Sequence, residues 1–320
     1  MLIMLNGVKH QRHLLYMEND VKENKILITE MFYSVQGEGS RVGIPSIFIR
    51  VFGCNLNCPG FGQPRDNIIP IEEMPHNKFD PSDITDINDL PVFNMGCDSS
   101  AAWSKKYRHL SKSYTVDSLL EEMKSLFPKY GYNFPDIVIT GGEPLLKKFQ
   151  SFWSELYDKA DANFKYITFE TNGTQILTEE FKAKIVDSTR NTLFSVSPKL
   201  SLSGEHRDKT LNVAAINSYR DTQIWSVYTD LYLKFVIRDE KDLGEIDYFL
   251  DNYQYGWSDT QGINEMLMPA PPLPVYLMPE GATVEGLKLT ERRVAELAMQ
   301  NGFRYSPRLH CHLFGNGWGT

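Results

Sequence analysis

Between Ser46 and Phe52 the chain reads SIFIRVF, a nearly unbroken apolar run. Such runs mark strands of a parallel sheet covered on both faces. The stretch 27–35, LITEMFYSV, predicts an earlier extended segment. From Val116 onward the apolar positions change period repeatedly. VDSLLEEMKSLFPKY, LLKKFQSFWSELYDKA, TEEFKAKIVDS, LNVAAINSY, EIDYFLDNY and TERRVAELAMQNG space them as helices. Between these, DIVITGG, KYITFETNG, NTLFSVSPK, YLKFVIRD and PVYLMPEG read as strands. Counting Ile47–Val51 as the first strand, strand and helix alternate six times, which predicts an α/β fold with parallel strands. Glycine-rich and charged motifs fall at the strand C-termini, where such folds place their active sites.

Two stretches break the pattern. Residues 1–24 read as a variable leader, leaving 25–320 as the working domain. Residues 59–96 are rich in proline, aspartate and asparagine, with seven acids against two bases (Arg65 and Lys78) and no clean period. They predict an irregular, solvent-facing insertion with a short helix near Ser82–Leu90. A loop this long is uncommon in a compact domain unless it has a job or moves.

Composition narrows the function classes. The 320 residues, 42% of them hydrophobic, suffice for one large core or a core with an insertion. Net charge is −8 with both signs interspersed, so nothing points to nucleic acid. The N-terminal apolar stretch is too short and interrupted for a signal peptide or a membrane span. A soluble, cytoplasmic protein is expected.

Four cysteines do not make a disulfide scaffold at this length. Cys54 and Cys58 in GCNLNC are separated by 38 residues from Cys97 in GCDSS. Thiolates suit iron–sulfur clusters and zinc. Three of them can hold three irons of a cubane and leave the fourth iron open. Zinc is the rival, with His76 or Asp98 completing four ligands, and inert thiols are the plain alternative. Cys311 reads as a small buried filler. In TGGEP, Gly141 and Gly142 remove side chains where the backbone must approach something closely, and Glu143 can accept hydrogen bonds from an amine. An ordinary strand-to-helix turn is the plain alternative. Arg50 is the most unusual charge, because a cation inside an apolar strand needs a partner. A substrate carboxylate or an internal salt bridge would supply one.

These motifs together resemble the 7-carboxy-7-deazaguanine synthases of the radical S-adenosylmethionine (SAM) superfamily. The resemblance rests on YSVQGEGSRVGIPSIFIRVFGCNLNC, CDSSAAW, ITGGEPLL, FETNGT, VSPK, KFVIRD, YLMPEG and FRYSPRLHCHLFGN, in the family's order from about Glu30 to Gly319. It implies an incomplete (βα)6 TIM-like barrel, often homodimeric, that binds a 4Fe-4S cluster, SAM and Mg2+. The implied reaction is a lyase step in 7-deazapurine biosynthesis, for queuosine or modified DNA bases. An electron from the reduced cluster cleaves SAM, and the resulting 5′-deoxyadenosyl radical takes hydrogen from C6 of 6-carboxy-5,6,7,8-tetrahydropterin. The ring contracts, ammonia leaves, and 7-carboxy-7-deazaguanine forms. Flavodoxin or ferredoxin would supply the electron.

The resemblance also implies residue roles. Cys54, Cys58 and Cys97 would ligate the cluster, with the usual cysteine loop expanded between Cys58 and Cys97. Gly141, Gly142 and Glu143 would meet the methionyl amine of SAM. Ser197 and Lys199 would complete its site, with Glu170 and Asn172 one strand further on; Glu170 would orient SAM or reach the substrate, a strand-end salt bridge being its plain alternative. Gln36, Glu38 and Gly39 would form a substrate-facing turn, with Arg50 on a carboxylate. His310 would reach the substrate, and His312, two residues on in an extended strand, would point away. Ser99 would contact Mg2+. Two alternatives stay open at this point: a radical SAM activase of an anaerobic ribonucleotide reductase, and a non-enzymatic zinc-stabilised protein whose acidic loop binds a partner.

Overall fold

The computed structural model describes residues 23–129, 134–161, 163–258 and 272–320. The expected leader therefore lies outside the described residues up to position 22. In chain order, strand β1 (Ile26–Val35) and β2 (Pro45–Val51) form an antiparallel pair. A long excursion follows, with one short helix, α1 (Pro75–Lys78), before β3 (Lys112–Tyr114) returns to pair with β1. Then come α2 (Val116–Ser125), β4 (Asp136–Gly141), α3 (Lys147–Lys159), β5 (Tyr166–Thr171), α4 (Glu179–Val186) and β6 (Asn191–Val196). The chain continues through α5 (Arg207–Thr210), α6 (Val213–Trp225), β7 (Thr229–Ile237), α7 (Leu243–Ser258) and β8 (Val275–Pro279). It closes with α8 (Val284–Gln300), β9 (Arg304–Tyr305) and α9 (Leu309–Phe314).

The strands make one mixed nine-stranded sheet in the order β3-β1-β2-β4-β5-β6-β7-β8-β9. From β2 to β9 every neighbouring pair is parallel. All six strands expected from the periodicity are present in sequence order. The main core lies between the sheet and its helices, around Ile47, Ile49, Val51, Trp153, Phe169, Phe194, Phe235 and Phe249. No helix among the described residues is long and apolar enough to cross a membrane.

The alternation along each strand sends the next residue to the other face. There Phe32, Phe48 and Val138 make one small cluster and Leu193, Tyr232 and Tyr276 another. Two residues further along, that face turns polar: Phe48 gives way to Arg50, Val138 to Thr140, Leu193 to Ser195 and Tyr232 to Lys234. The strands thus carry an apolar floor with a polar layer above it, at their C-terminal ends.

The insertion differs from expectation. Ile87, Leu90, Ala101 and Tyr107 form a core of their own, with Phe79, Ile84, Phe93 and Trp318 packed against it. The expected short helix is a single 3-10 turn at Ile87–Asp89. The segment is also bolted to the sheet. Arg65 donates to Asp242 at 2.6 and 3.0 Å and to Asp239 at 3.0 Å. The Gly62 N–H donates to Glu280 at 2.8 Å. Short turns and scattered aromatics replace a regular period, which is why the pattern predicted an irregular loop.

Candidate active site

The polar layer and the insertion enclose a cavity of ≈ 1010 Å3. Cys54, Cys58 and Cys97 line one part of it, together with Gly141, Gly142, Asn172, Ser197 and Lys199. Gln36, Glu38, Arg50, Asp98, Ser99, Glu170, Lys234, Arg308 and His310 line the rest. The sheet and its loops bring together side chains more than 250 residues apart, such as Glu38 and Arg308.

The cysteine loop is held from several sides. Glu205 accepts the N–H groups of Asn57 at 2.6 Å and Cys58 at 2.9 Å. This captures Cys58 in left-handed backbone, φ 46°, a conformation unfavourable for a residue with a side chain. Asn172 donates to Asn55 at 3.0 Å, and Asn55 donates to Thr174 at 2.9 Å. Gly142 must lack a side chain here, since a Cβ would lie 2.1 Å from the Gly53 carbonyl oxygen and 3.0 Å from Cys54 Cβ. The glycine turn is thus pressed directly onto the cysteine loop.

Burial pushes the Cys54 thiol up to about 12 and the Cys97 thiol up to about 11, and lifts Cys58 well above its ordinary value. The Lys199 ammonium opposes that rise at all three thiols. One lysine reaching all three places them around the same end of the cavity. Lys199 itself donates to Ser197 at 3.1 Å.

Glu143 is a correction. Its carboxylate is fully buried and is not among the groups that line the cavity. It accepts from Thr171 Oγ1 at 2.7 Å, the Asn172 N–H at 2.7 Å and the Leu145 N–H at 2.9 Å. The side chain ties β4 to β5 and is spent on protein donors, so Gly141 and Gly142 line the cavity and the Glu143 carboxylate does not. Gly39 is a second correction. It sits at φ +68°, where a Cβ would lie 1.9 Å from the Tyr232 hydroxyl, and its N–H donates to Ser306 at 2.8 Å. It packs the turn and does not line the cavity.

A continuous polar network lines the opposite wall. Thr140 donates to Glu170 at 2.9 Å, and Gln36 Nε2 donates to the other Glu170 oxygen at 3.1 Å. Gln36 Oε1 accepts the Glu38 N–H at 3.0 Å. The Glu38 carboxylate accepts from Lys234 and, at 3.2 Å, from Arg308. Arg308 also donates to Asp98 at 2.8 Å. Burial alone would raise the Glu38 carboxyl, but Lys234, Arg308 and His310 together hold it well below the carboxylate range. Burial moves His310 the other way, toward its neutral form, against the pull of Glu38.

Arg50 takes the internal partner. Its Nε donates to Glu30 at 2.6 Å, and its NH1 donates to Ser99 Oγ at 2.9 Å. The Ser99 hydroxyl donates in turn to Asp98 at 3.3 Å. The segment around His310 is also corrected, from extended strand to the short helix α9. His312 still points elsewhere, because residues two apart on a helix are about as divergent as on a strand. It meets Glu291 at 3.1 Å. Cys311 is fully buried, as expected of a filler.

Several site residues escaped the sequence reading. Lys234 is 3% exposed in the middle of β7. Its signal was the same as that of Arg50, a lone cation inside an apolar strand. Glu205 carried no such signal. Gly37 is matched to His310, whose Nδ1 would lie 2.1 Å from an added Cβ.

The donor set, three thiols at one end of a cavity, is one that a multi-iron cluster can use. A single zinc needs ligands converging on one point at about 2.0–2.3 Å. Among the described residues no three His, Cys, Asp or Glu side chains gather in that way. A cubane offers each of three thiolates its own iron. The shared Lys199 and the bare glycine turn beside the thiols suit such a group with an anionic ligand.

Comparison with known proteins follows the same line. No family model matches the chain. A 7-carboxy-7-deazaguanine synthase from Halobacterium salinarum is 31% identical over 306 residues, covering 90% of this chain and 90% of that protein. One from Rhodopirellula baltica is 27% identical over 305 residues, covering 93% and 90%. The crystal structure of QueE from Escherichia coli aligns at 19% identity and a TM-score of 0.48, covering 89% of this chain and 95% of that one.

Proposed function

Because the chain belongs to the 7-carboxy-7-deazaguanine synthase family, we infer that it is a radical SAM lyase converting 6-carboxy-5,6,7,8-tetrahydropterin to 7-carboxy-7-deazaguanine with loss of ammonia. One observation carries this reading: the three thiols, the glycine turn and the Gln36, Glu38, Arg50 and His310 set open into the same cavity. Its ≈ 1010 Å3 is at the upper end for ligand pockets, as two ligands beside a cluster require.

Cys54, Cys58 and Cys97 would hold the cluster, with Gly141 and Gly142 admitting SAM against the backbone. When bound, these groups supply the one-electron chemistry that creates a hydrogen-abstracting species. The chain's own residues bind and orient. Lys199 and Ser197 neutralise and position the SAM carboxylate, while Asn172 keeps the cysteine loop in register. Glu170 aims the Gln36 amide, and Gln36 with Glu38 reads the donor edge of the pterin. Arg50, locked by Glu30 and Ser99, faces the substrate carboxylate. Neutral His310 can accept a proton, or donate its N–H as a hydrogen bond, beside the departing amine. Mg2+ at Ser99 requires the Arg50 contact to part, since a guanidinium and a cation do not share one hydroxyl.

The open sheet is read as an incomplete (βα)6 barrel with added edge strands, and 59–96 as its expanded cluster loop. A flavodoxin or ferredoxin as electron donor and a homodimeric state complete the proposal.

Anaerobic reconstitution followed by turnover with SAM, dithionite, Mg2+ and the pterin tests the function by mass spectrometry. The deazaguanine carboxylate and 5′-deoxyadenosine are expected together. SAM cleavage with the pterin untouched would leave the cofactor assignment standing and remove the substrate.

Glu205 supplies a narrower test. Glu205→Ala frees two N–H groups of the cysteine loop and is expected to lower iron and sulfide content severalfold, with the circular dichroism spectrum unchanged. Full cluster content in this variant would deny Glu205 its positioning role.

A further inference from the structure

Around Cys97 the structure buries polar groups that are poorly satisfied. The indole N–H of Trp103 is buried, meets no oxygen or nitrogen acceptor, and has the Cys97 thiol as its partner. Both ring nitrogens of His76 lack a hydrogen-bond partner, and His76 is 0% exposed. These groups adjoin one another. The His76 and Trp103 rings meet edge to face, centroids 5.6 Å apart at 76°. Phe93 closes on the other side of His76 at 6.2 Å. The imidazole also abuts the residue before Cys97, since a Cβ at Gly96 would lie 3.5 Å from His76 Cε1. A buried N–H without a good acceptor costs about 1–3 kcal/mol, and a neutral thiol is a weak one, so an indole N–H set against Cys97 gains a strong acceptor once that sulfur is a cluster thiolate. Trp103 and Cys97 line that cavity together.

We propose that the Trp103 indole N–H, propped by the His76 ring, donates a hydrogen bond to sulfur at the Cys97 corner of the cluster and raises its reduction potential. The inference rests on the cluster reading above and goes beyond it, because it assigns the insertion an electronic task. His76 reaches Trp103 only from α1, inside the 59–96 segment, and the Tyr107 hydroxyl pins that helix by donating to the His76 carbonyl. Hydrogen bonds to cluster sulfurs disperse the charge added on reduction, and outer partners of this kind tune a metal site. The donor is neutral, so it favours reduction without adding a charge that would have to be buried. Trp103 is a positioning and tuning residue, with no contact to substrate required.

The test is potentiometric titration of the reconstituted full chain, followed by electron paramagnetic resonance. Trp103→Phe keeps a ring against His76 and removes only the N–H. It is expected to make one-electron reduction roughly tenfold less favourable, a potential about 59 mV more negative. His76→Ala, which frees the indole, is expected to shift the potential the same way by less. An unchanged potential in Trp103→Phe at full iron and sulfide content overturns the proposal. If that variant fails to hold its cluster, the wild-type protein grown with 15N-indole decides the matter. A 15N coupling to the reduced cluster supports the bond, and its absence overturns it. A wild-type protein that takes up no iron and sulfide would instead sink the cluster reading itself, and this inference with it.

Discussion

Cys97→Ala protein, purified and reconstituted without oxygen, is expected to lose the brown chromophore and all SAM cleavage while remaining folded. Sequence distance makes Cys97 the least obvious ligand, with 38 residues between it and Cys58. Closing a longer loop costs only about 0.6 kcal/mol per doubling of its length. Here the loop is not left to chance, since its own apolar core and the Arg65 ion pairs hold it in place. The thiol is therefore delivered to the site by folded structure. Truncating the half-buried side chain should change the unfolding free energy by no more than about 1 kcal/mol. Cys311→Ala is the matching control: the lost packing of a fully buried side chain on α9 should lower stability with cluster content intact. Iron and sulfide assays beside thermal unfolding separate the two effects. A Cys97→Ala protein with a full cluster would remove Cys97 from the ligand set.

Glu38→Gln is expected to abolish turnover and also to destabilise the protein by about 3–5 kcal/mol, the cost of leaving buried cations without their anion. Lys234 is 4% and Arg308 9% exposed at the side chain, and both lean on this one carboxylate. Adding Lys234→Met to Glu38→Gln removes one stranded charge and should recover part of the loss. The pH dependence has a definite sign. The folded Glu38 carboxyl lies below its ordinary value of 4.5. Its stabilisation is fully present above that ordinary value and is lost as pH falls toward the folded value. Wild-type stability should drop on acidification below about pH 4.5, and Glu38→Gln should lose that part of the slope. Urea unfolding at pH 7 and at pH 3.5 checks both statements. Equal losses in the two proteins would mean that Glu38 is not held ionised by Lys234 and Arg308.

Much of this architecture is legible in the chain. Alternating periods mark the six main strands, and Arg50, Gly141, Gly142, Glu170 and Lys199 at or near strand ends line the cavity. Arg50 stood out because an apolar run makes a charge conspicuous. Lys234 carries the same signal in β7, a cation in the apolar run YLKFVIRD, without a local cue to its partner Glu38. What the pattern could not give is pairing across the sheet. Glu205 meets Cys58 from 147 residues away, and nothing local marks it. The inward turn of Glu143 depends on Thr171 and Asn172 on the neighbouring strand, so a carboxylate legible as a ligand group became a structural tie. Gly39, expected in a substrate-facing turn, makes room for the Tyr232 hydroxyl. The insertion defeated the period argument because it folds through short turns and scattered aromatic residues, with no amphipathic repeat to detect.

The most direct test of the central claim uses the pterin substrate carrying deuterium at C6. A single turnover of reconstituted protein is quenched and the 5′-deoxyadenosine is weighed by mass spectrometry. The account predicts one deuterium in the 5′-deoxyadenosine formed alongside 7-carboxy-7-deazaguanine. Product formed with unlabelled 5′-deoxyadenosine would contradict it, because hydrogen would then be leaving the substrate by a route that this cavity does not direct.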